Sequence, residues 1–403
     1  MAERTGYDVA VAPCRALLRF LGAWPDPKIP EDIFAVLRFV VATLTMILFA
    51  NVAQTIMVVK VWGDLNSMIE ILTTANIPIF IACVKFLVAW FNRKILKKLV
   101  ILMAEDWRRK YSTEDEDIMW ENAYFSRKLS IVCISLALGT ITAQFIMVVV
   151  FDANNRDSDE RTMYMTSYFP YDIQRSPNFE ITWLGQLFSN VFAASAFSAI
   201  DAFFAVLMLH LCAQLAILRK TLSKLVNDPR KNIKDGVFIN MIGCLVERHE
   251  HLNKFASVIE KSFNTMFLGQ MVASSFALCL QGYQLVVITS NTENGLSLLQ
   301  LIHMIYFTCC FSFSLFVYCY VAERLQYEST EIGYAAYQSD WYNWNPEETK
   351  LLLLMMHRAR KPLQITAGKF CFFSLRLYCS ILKTSGGYLS MLLAVKDRIV
   401  LDE

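Results

Sequence analysis

The amino-acid sequence predicts an all-α integral membrane protein with seven transmembrane helices. Its 403 residues are 55% hydrophobic and only 18% charged, and the mean hydropathy is +0.38. A water-soluble chain of this length carries more charge and fewer apolar residues. The apolar residues also fall in runs of about 20 or more, the length that an α-helix needs to cross ~30 Å of bilayer hydrocarbon.

The crossings are separated by polar segments, and residues 1–28 lack the apolar core of a cleavable signal peptide. The predicted crossings are residues 34–59, 67–91, 129–151, 181–218, 263–290, 298–321 and 371–396. The chain divides into a cytoplasmic amphipathic segment (1–32), helices one to four (33–217), a cytoplasmic anchor segment (218–262), helices five and six (263–321), cytoplasmic anchor helices (322–370), the last crossing (371–396) and an extracellular tail (397–403).

The Lys and Arg counts of the loops give the orientation, because cytoplasmic loops are enriched in both. Segments 92–128 and 218–262 carry nine each and 322–370 carries six, whereas 60–66 carries one, 152–180 three and 291–297 none. The amino terminus is therefore predicted to be cytoplasmic and the carboxyl terminus extracellular. A G-protein-coupled receptor has the opposite orientation, so the topology excludes that class.

The last crossing differs from the others because one of its faces is polar or small along the whole length. At 100° per residue, six side chains fall within about 40° of one line: Arg376, Ser380, Lys383, Gly387, Ser390 and Ala394. A charge at mid-bilayer costs at least ~2.5 kcal/mol, so this face is expected to meet water or protein. Two interpretations stay open: the face lines a pore, or it is a helix contact whose cations are paired or reach the interface.

Several helices are predicted to continue beyond the membrane. The fourth, fifth and sixth apolar runs extend into amphipathic segments, and Pro346 with two acidic residues begins a further helix that Pro362 ends. Together these extensions predict a cytoplasmic anchor bundle. One chain offers too few helices there to enclose an aqueous path, so several subunits are expected around an axis lined by the last helix.

Enzymes and metalloproteins are not indicated. The sequence has no nucleophile-elbow, Walker or His-Glu-x-x-His signature, so no enzyme activity and no cofactor are predicted. His249 and His251 point about 160° apart on a helix, which argues against a metal site. The 11 cysteines lie mostly in apolar runs, and the net charge of +2 gives no indication of nucleic-acid binding. A secondary transporter remains an alternative, although no inverted repeat is evident.

Two charges of opposite sign lie at membrane depth, Lys85 in the second crossing and Asp201 in the fourth. They are expected to pair, unless Asp201 meets His210 or a backbone group. A gating contact and a structural polar anchor both fit such residues. Gln144, Gln270 and Gln281 are interpreted in the same way.

The carboxyl-terminal region resembles the signature of insect odorant receptors. The matching residues are Thr366, Ala367, Gly368, Lys369, Phe370, Ser374, Leu375, Ser380, Ile381, Leu382, Lys383, Thr384, Ser385 and Tyr388. Weaker matches occur in residues 21–25, 169–172 and 335–342. Length, number of crossings and orientation agree along the whole chain, and gustatory relatives are less similar at the terminal motif.

This resemblance implies a ligand-gated, non-selective cation channel of four subunits, in which an odorant-binding subunit assembles with a shared co-receptor. It implies a place in the plasma membrane of olfactory sensory neurons, surrounded by lipid. The co-receptor has a long insertion between crossings four and five, where this chain has only about 45 residues. The chain therefore resembles the odorant-binding subunit, with a gustatory-type receptor channel as the alternative.

Alignment of the last helix with the family implies the position of the gate. The implied gate and pore residues are Met391, Val395, Ala394, Ser390, Gly387 and Lys383. Ala394 stands at the family's polar filter position but has no side-chain amide to contact a cation. Arg376 and Lys383 would repel permeating cations. A homotetramer would place eight such side chains around the pore, which favours a mixed assembly.

The resemblance also implies a pocket for a small volatile ligand in the outer half of the membrane, among crossings two to six. The residues at that depth are Asn76, Ile77, Phe80, Gly139, Ala143, Gln144, Met147, Asn190, Ala194, Phe197, Gln281, Tyr283, His303, Tyr306 and Phe307. Apolar walls with a few polar groups suit a ligand that is held mainly by burial. The polar groups leave room for an alcohol, an ester or a ketone.

Overall fold

The computed structural model describes residues 5–26, 32–154, 161–226, 235–290 and 295–402, which are predominantly helical. In chain order the elements are α1 (Gly6–Phe20), α2 (Ile33–Lys60), α3 (Leu65–Phe91), α4 (Arg93–Asp106), α5 (Thr113–Asn154), α6 (Asn178–Val226), α7 (Asp235–Ser290), α8 (Gly295–Tyr337), α9 (Pro346–Ala359), β1 (Thr366–Ala367), β2 (Cys371–Phe372) and α10 (Leu375–Asp402). Short π-helical turns interrupt α2 at Met46–Val52 and α3 at Leu72–Asn76.

The prediction of an all-α membrane-spanning fold is confirmed. Within the described ranges, six helices are long and apolar enough to cross a bilayer, namely α2, α3, α5, α6, α7 and α8. Helices α5 to α8 have 42, 49, 56 and 43 residues, about twice the ~20 that a crossing needs. Helix α10 has 28 residues, so its length suffices, while its role as the seventh crossing stays a prediction.

The charged segment between the second and third crossings is itself largely helical. It contains α4 and the first turns of α5, and a short irregular link joins them. Glu114, Asp115 and Glu116 stand in the first turn of α5, where the helix dipole favours negative charge. High charge density marks the membrane boundary here, but it does not mark the end of the helix.

Helix α6 is the centre of the molecule. Every side chain from Ala199 to Leu215 is buried, and α5, α8, α1 and α3 surround this stretch. Ala199, Ala202 and Ala205 let neighbouring helices approach closely. A helix that is buried on all sides is apolar on all sides, which is why the sequence shows one long run without amphipathic periodicity.

The Thr366–Phe370 motif forms a tight β-hairpin that leads the chain into α10. Strands β1 and β2 are antiparallel, and Gly368 and Lys369 form the turn with φ of +59° and +64°. Gly368 is required for a second reason, because a Cβ there would lie 2.6 Å from Cδ2 of Leu268 in α7. The Gly368 N–H donates to the Asn264 carbonyl oxygen at 3.2 Å, so α7 holds the hairpin and thereby the start of α10.

A buried polar network joins α4, α6 and α7. The Asp106 carboxylate lies 3.2 Å from His210 Nε2 and accepts a hydrogen bond from Arg248 at 2.8 Å. Arg248 also donates to Gln214 at 2.6 Å. Burial raises the pKa of Asp106, but His210 and Arg248 outweigh burial and hold that pKa below its usual 3.8. His210 was one of the partners expected for Asp201, but in the structure His210 pairs with Asp106.

Candidate functional site

A cavity of about 100 Å³ lies inside the bundle between α3, α5, α6 and α8. Its walls are mostly apolar, with Ile79, Leu136, Phe197, Phe307 and Phe311 as the large contributors. The polar groups along it are those of Thr74, Thr140, Asn190, Ser198, Asp201 and Ser314. Apolar walls with a few convergent polar groups are typical of a small-molecule site.

Local backbone geometry in α3 gives the cavity one of its walls. The π-helical turn Leu72–Asn76 is followed by Pro78, which has no N–H to continue the helical ladder. Thr74 and Ala75, inside the turn, line the cavity together with Pro78 and Ile79. An inserted π turn changes the rotation of every later residue about the helix axis, so it decides which side of α3 faces the cavity.

One end of the cavity is closed by a buried ion pair. Lys85 Nζ lies 2.7 Å from Asp201 Oδ1 and 3.3 Å from the centroid of the Phe197 ring. Ser314 donates to Asp201 Oδ2 at 2.6 Å, and the Tyr318 hydroxyl also donates to the carboxylate. Lys85, Asp201, Ser314 and Tyr318 thus connect α3, α6 and α8. Asp201 and Ser314 also line the cavity. The pairing of Lys85 with Asp201, expected from the sequence, is present.

The irregular segment 161–177 enters the bundle and contacts Asn190, which lines the cavity. Tyr164 is 1% exposed, and its hydroxyl accepts a hydrogen bond from Asn190 Nδ2 at 2.9 Å. Gln186 fixes the same segment with two bonds to the Met165 backbone, at 3.0 and 3.1 Å. Segment 161–177 is therefore attached to α6 at two adjacent turns, through Gln186 and Asn190.

A second, more polar cavity of about 230 Å³ shares Thr74 with the first. It contains Glu70, Gln144, Gln284 and His303, and Tyr283 donates to Asn66 at 3.2 Å beside it. The shared residue places the two cavities next to each other along α3. A polar chamber therefore lies beside an apolar one.

Eight of the fifteen residues predicted from membrane depth line one of these two cavities. Four line the first, Asn190, Ala194, Phe197 and Phe307, and four line the second, Gln144, Met147, Tyr283 and His303. The others line neither of them, namely Asn76, Ile77, Phe80, Gly139, Ala143, Gln281 and Tyr306.

The structure explains why several of the residues that line neither cavity lie away from both. Phe80 is 58% exposed on the outside of the bundle, where lipid would cover it. Asn76 donates to the Asn51 carbonyl oxygen at 3.4 Å and is thereby turned toward α2. Gly139 is covered by Tyr306, whose hydroxyl donates to the Leu136 carbonyl oxygen at 3.0 Å.

Some residues that line the first cavity were not predicted from membrane depth, although helical spacing indicates them. Asn190, Ala194, Phe197 and Asp201 follow one another at intervals of four, three and four, which is one face of α6. The same argument extends Phe307 through Phe311 to Ser314 on α8. Tyr164, which contacts the lining residue Asn190, carried no such signal, because it lies in a segment without periodicity.

Helix α10 contacts the rest of the chain along one narrow ridge. Tyr378, Ile381, Ser385 and Leu389 form this ridge at intervals of three and four, and Ile381 and Ser385 are each 7% exposed. Tyr378 shares a hydrogen bond with Ser312 at 2.8 Å, and Ser385 donates to the Ser275 carbonyl oxygen at 3.4 Å. On a helical projection the ridge is centred about 180° from the polar stripe.

The polar stripe itself is uncovered in this single chain. Its described members are all exposed, namely Arg376, Ser380, Lys383, Gly387 and Ser390. Met391, the predicted gate residue, is 66% exposed. Ala394 and Val395 belong to α10, but their side chains lie outside the described residues.

Comparison with known proteins identifies the family. A family model described as 7tm Odorant receptor matches residues 67–386, which is more than half of the chain. The chain belongs to the 7tm odorant receptor family. The resemblance to insect odorant receptors is thereby confirmed, and membership of a receptor family agrees with the prediction that the chain is not an enzyme.

Individual relatives of this odorant receptor are distant. Odorant receptor 13a of Drosophila melanogaster is 23% identical over 257 residues, which are 61% of this chain and 59% of that protein. The odorant receptor coreceptor of Aedes aegypti is 28% identical over 151 residues, 38% of this chain and 30% of that protein. The chain thus spans about three fifths of the Drosophila receptor and less than a third of the coreceptor.

Solved structures show the same fold over nearly the whole chain. The olfactory receptor OR5 from Machilis hrabei in complex with eugenol matches with a TM-score of 0.80 at 17% identity, covering 96% of this chain and 97% of that one. A second structure of that receptor matches with a TM-score of 0.78. At this identity the likeness concerns the fold, and it agrees with a multi-span membrane protein.

Proposed function

We propose that this odorant receptor is the odorant-binding subunit of a ligand-gated, non-selective cation channel. Four subunits, including the shared co-receptor, surround an axis lined by α10 in the plasma membrane of olfactory sensory neurons. The coreceptors among the relatives support a partner of the same family. The proposal is carried by one observation, which is that α10 packs along one ridge and leaves the opposite polar stripe uncovered.

The uncovered stripe needs water or protein around it. Arg376 and Lys383 are both exposed on α10, and a charge that faces hydrocarbon costs at least ~2.5 kcal/mol at mid-bilayer. Lipid alone is therefore a poor environment for this face. A central aqueous axis, completed by the same helix of neighbouring subunits, removes that cost.

Pore electrostatics favour a mixed assembly. Four identical subunits would place eight cationic side chains around one cation path if Arg376 and Lys383 both faced it. Two unit charges 4 Å apart repel by about 1 kcal/mol in water and by more where the path is narrow. Co-receptor subunits without these charges dilute the repulsion.

The ligand of this receptor is a small volatile held mainly by burial in the first cavity. Aromatic side chains Phe197, Phe307 and Phe311 supply the walls, and polar groups stand at both ends, Asn190 at one and Asp201 with Ser314 at the other. A ligand of about a dozen non-hydrogen atoms at roughly −0.7 kcal/mol per atom binds at micromolar concentration.

Channel opening depends on the side-chain contacts that link the first cavity to α10. Tyr318 donates to Asp201 at the cavity end, and its ring lies 5.9 Å from that of Phe373, two residues before α10 begins. A ligand opens the channel only as far as it binds the open arrangement better than the closed one. Repacking around Tyr318 is the change that both the cavity and the pore helix would sense.

Electrical recording with a gate variant tests the proposal. The receptor is expressed with a co-receptor, and currents are recorded in outside-out patches without nucleotide during odorant application. Removal of the Met391 side chain takes away apolar contact in the closed gate, worth roughly 1.5 to 3 kcal/mol for a fully buried Met. Met391→Ala is therefore expected to raise basal current about tenfold or more.

The matched control is Leu382→Ala, because Leu382 is 39% exposed on another face of α10. This variant is expected to leave basal current unchanged. Unaltered basal current and ligand response in Met391→Ala would count against the gate assignment. Substrate uptake without unitary currents would indicate a secondary transporter instead of a channel. Responses to tastants alone would favour a gustatory-type receptor.

A further inference from the structure

A large basic groove lies at the opposite end of α3 from the π-helical turn. Its volume is about 590 Å³, and it is bordered by the end of α1, the beginning of α2 and the junction of α3 with α4. Five of its lining residues are cationic, Arg19, Arg38, Arg93, Lys94 and Lys97. Two are acidic, Asp26 and Asp32, so the groove carries a net positive charge of three (five minus two).

The two carboxylates are already engaged. Asp26 forms an ion pair with Arg19, and Asp32 accepts the Phe34 N–H at 3.0 Å as the N-cap of α2. Within the described ranges, Arg38, Lys94 and Lys97 have no carboxylate oxygen within 4 Å. Three cations therefore border one open groove without protein counter-charge from those ranges.

The electrostatics of α4 reinforce this excess. Arg93, Lys94 and Lys97 all stand in the first turns of the helix, where the backbone dipole favours anions and disfavours cations. Asn92, at the N-cap position of α4, makes no side-chain cap hydrogen bond, and its Nδ2 donates to the Ser262 carbonyl oxygen at 3.0 Å. An anion placed there would be stabilised by both the cations and the helix terminus.

The position of the groove selects the kind of anion. Trp90 closes the apolar end of α3, stacks on Phe39 of α2 at 3.9 Å between centroids, and supports the Arg93 guanidinium at 4.3 Å. Phe34 and Phe91, on either side, are 66% and 79% exposed. A tryptophan beside cations, at the end of a membrane-spanning helix, marks the headgroup level of a bilayer.

We propose that this groove binds the phosphate-bearing headgroup of an acidic phospholipid. Arg38, Lys94 and Lys97 contact the headgroup, and the acyl chains follow the exposed apolar side chains of α2 and α3. A soluble phosphate compound would use the cations but would leave these apolar side chains without a partner. The lipid would link α1 and α2 to the α3–α4 junction.

Lipid binding is measured on the purified full-length receptor, with no need for channel activity. The probe is native mass spectrometry after incubation with phosphatidylcholine, phosphatidylserine or phosphatidylinositol 4,5-bisphosphate. The triple variant Arg38→Gln, Lys94→Gln and Lys97→Gln is compared with the wild-type chain. Each cation near a membrane surface is worth about fivefold in affinity, so the triple variant is expected to lose about 100-fold for the acidic lipids.

The matched control neutralises three exposed cations outside the groove, in Lys98→Gln, Arg108→Gln and Lys110→Gln. It is expected to keep saturable binding of the acidic lipids. Equal losses in both triple variants would show general charge attraction and overturn the proposal. Inositol trisphosphate or inorganic phosphate that competes as well as the lipid would replace the lipid by a free phosphate compound.

Folding of the variants is checked by their elution profile and melting temperature in detergent. If the triple variant fails to fold, Lys97→Gln alone is measured, with a loss of about fivefold expected and Lys98→Gln as its control. Unchanged binding in Lys97→Gln would also contradict the proposal. Failure of this test would leave the channel function untouched, since the groove and α10 are separate parts of the chain.

Discussion

Replacement of Lys85 by methionine removes one partner of the buried ion pair and keeps most of the apolar stem. Lys85 is fully buried and Asp201 is 2% exposed, so the carboxylate would lose its charge partner without gaining water. Removal of one member of a buried pair costs about 3 to 5 kcal/mol. Asp201→Asn leaves the ammonium group unpaired in the same place and is expected to cost a similar amount.

The double variant Lys85→Met and Asp201→Asn distinguishes a pair from two unrelated buried groups. It contains no buried charge, and the new side-chain amide oxygen at position 201 still accepts from Ser314 or Tyr318. Its cost is expected to fall below that of either single variant, because replacement of a whole buried pair by neutral groups is often nearly neutral. The coupling energy of the cycle should therefore exceed ~3 kcal/mol.

Thermal unfolding of the purified receptor in detergent measures the four chains of this cycle. The single variants should melt well below the wild type, and the double variant should recover most of the difference. Lys98→Met is the control, since Lys98 is exposed and lies outside both cavities. Additive losses in the double variant would refute the reasoning, because they would mean that the two charges do not stabilise one another.

Three further predictions concern packing and pH. Gly139→Ala places a Cβ 2.0 Å from the Tyr306 hydroxyl, so it should destabilise the receptor by about 1 to 3 kcal/mol in thermal unfolding, with partial rescue by Tyr306→Phe. Gly368→Ala is strained by its φ and by Leu268 and should lower surface expression, whereas Gly243→Ala, with open space at the Cβ, should be neutral or mildly stabilising. The lowered pKa of Asp106 means that its stabilisation is present above the unfolded value near 3.8 and is lost as pH falls through the folded pKa, so Asp106→Asn should flatten the acid limb of a stability profile.

The membrane-spanning helices were predictable because each is an apolar run of sufficient length. The start of the last helix was predicted within a few residues, since Pro362 ends the helix before it; the predicted crossing begins at residue 371 and α10 begins at Leu375. What sequence reasoning missed was the helix in the charged segment after the second crossing. Charge was taken there as a sign of a loop, whereas α4 uses its charges on a solvent-facing side and buries Leu96, Leu99 and Met103.

The candidate pocket was only partly predictable, because depth in the membrane says nothing about rotation around a helix. The π turn at Leu72–Asn76 shifts the phase of α3, so Thr74 lines both cavities while Phe80 faces outward. Tyr164 reaches Asn190 from an irregular segment whose path depends on tertiary contacts. Neither feature has a periodic signature in the sequence.

The arrangement around Tyr318 determines how far the first cavity and α10 can move independently. Its hydroxyl is committed to Asp201, and its ring lies 5.2 Å from Phe267 and 5.9 Å from Phe373. Phe267 in turn lies 5.3 Å from Phe373, so two helices and the hairpin end share one set of ring contacts. Close-packed aromatic rings exchange between discrete arrangements rather than deforming continuously.

In the proposed channel, a ligand that touches Asp201 or Ser314 would act on the same contacts that hold the first turn of α10. Its effect on opening is limited by the difference in its affinity between the two ring arrangements, whatever its total affinity. A shift from 1% to 99% open would need a difference of about 5.5 kcal/mol. Micromolar binding supplies about 8 kcal/mol in total, so a single weak odorant can open the channel only if most of its contacts differ between the two states.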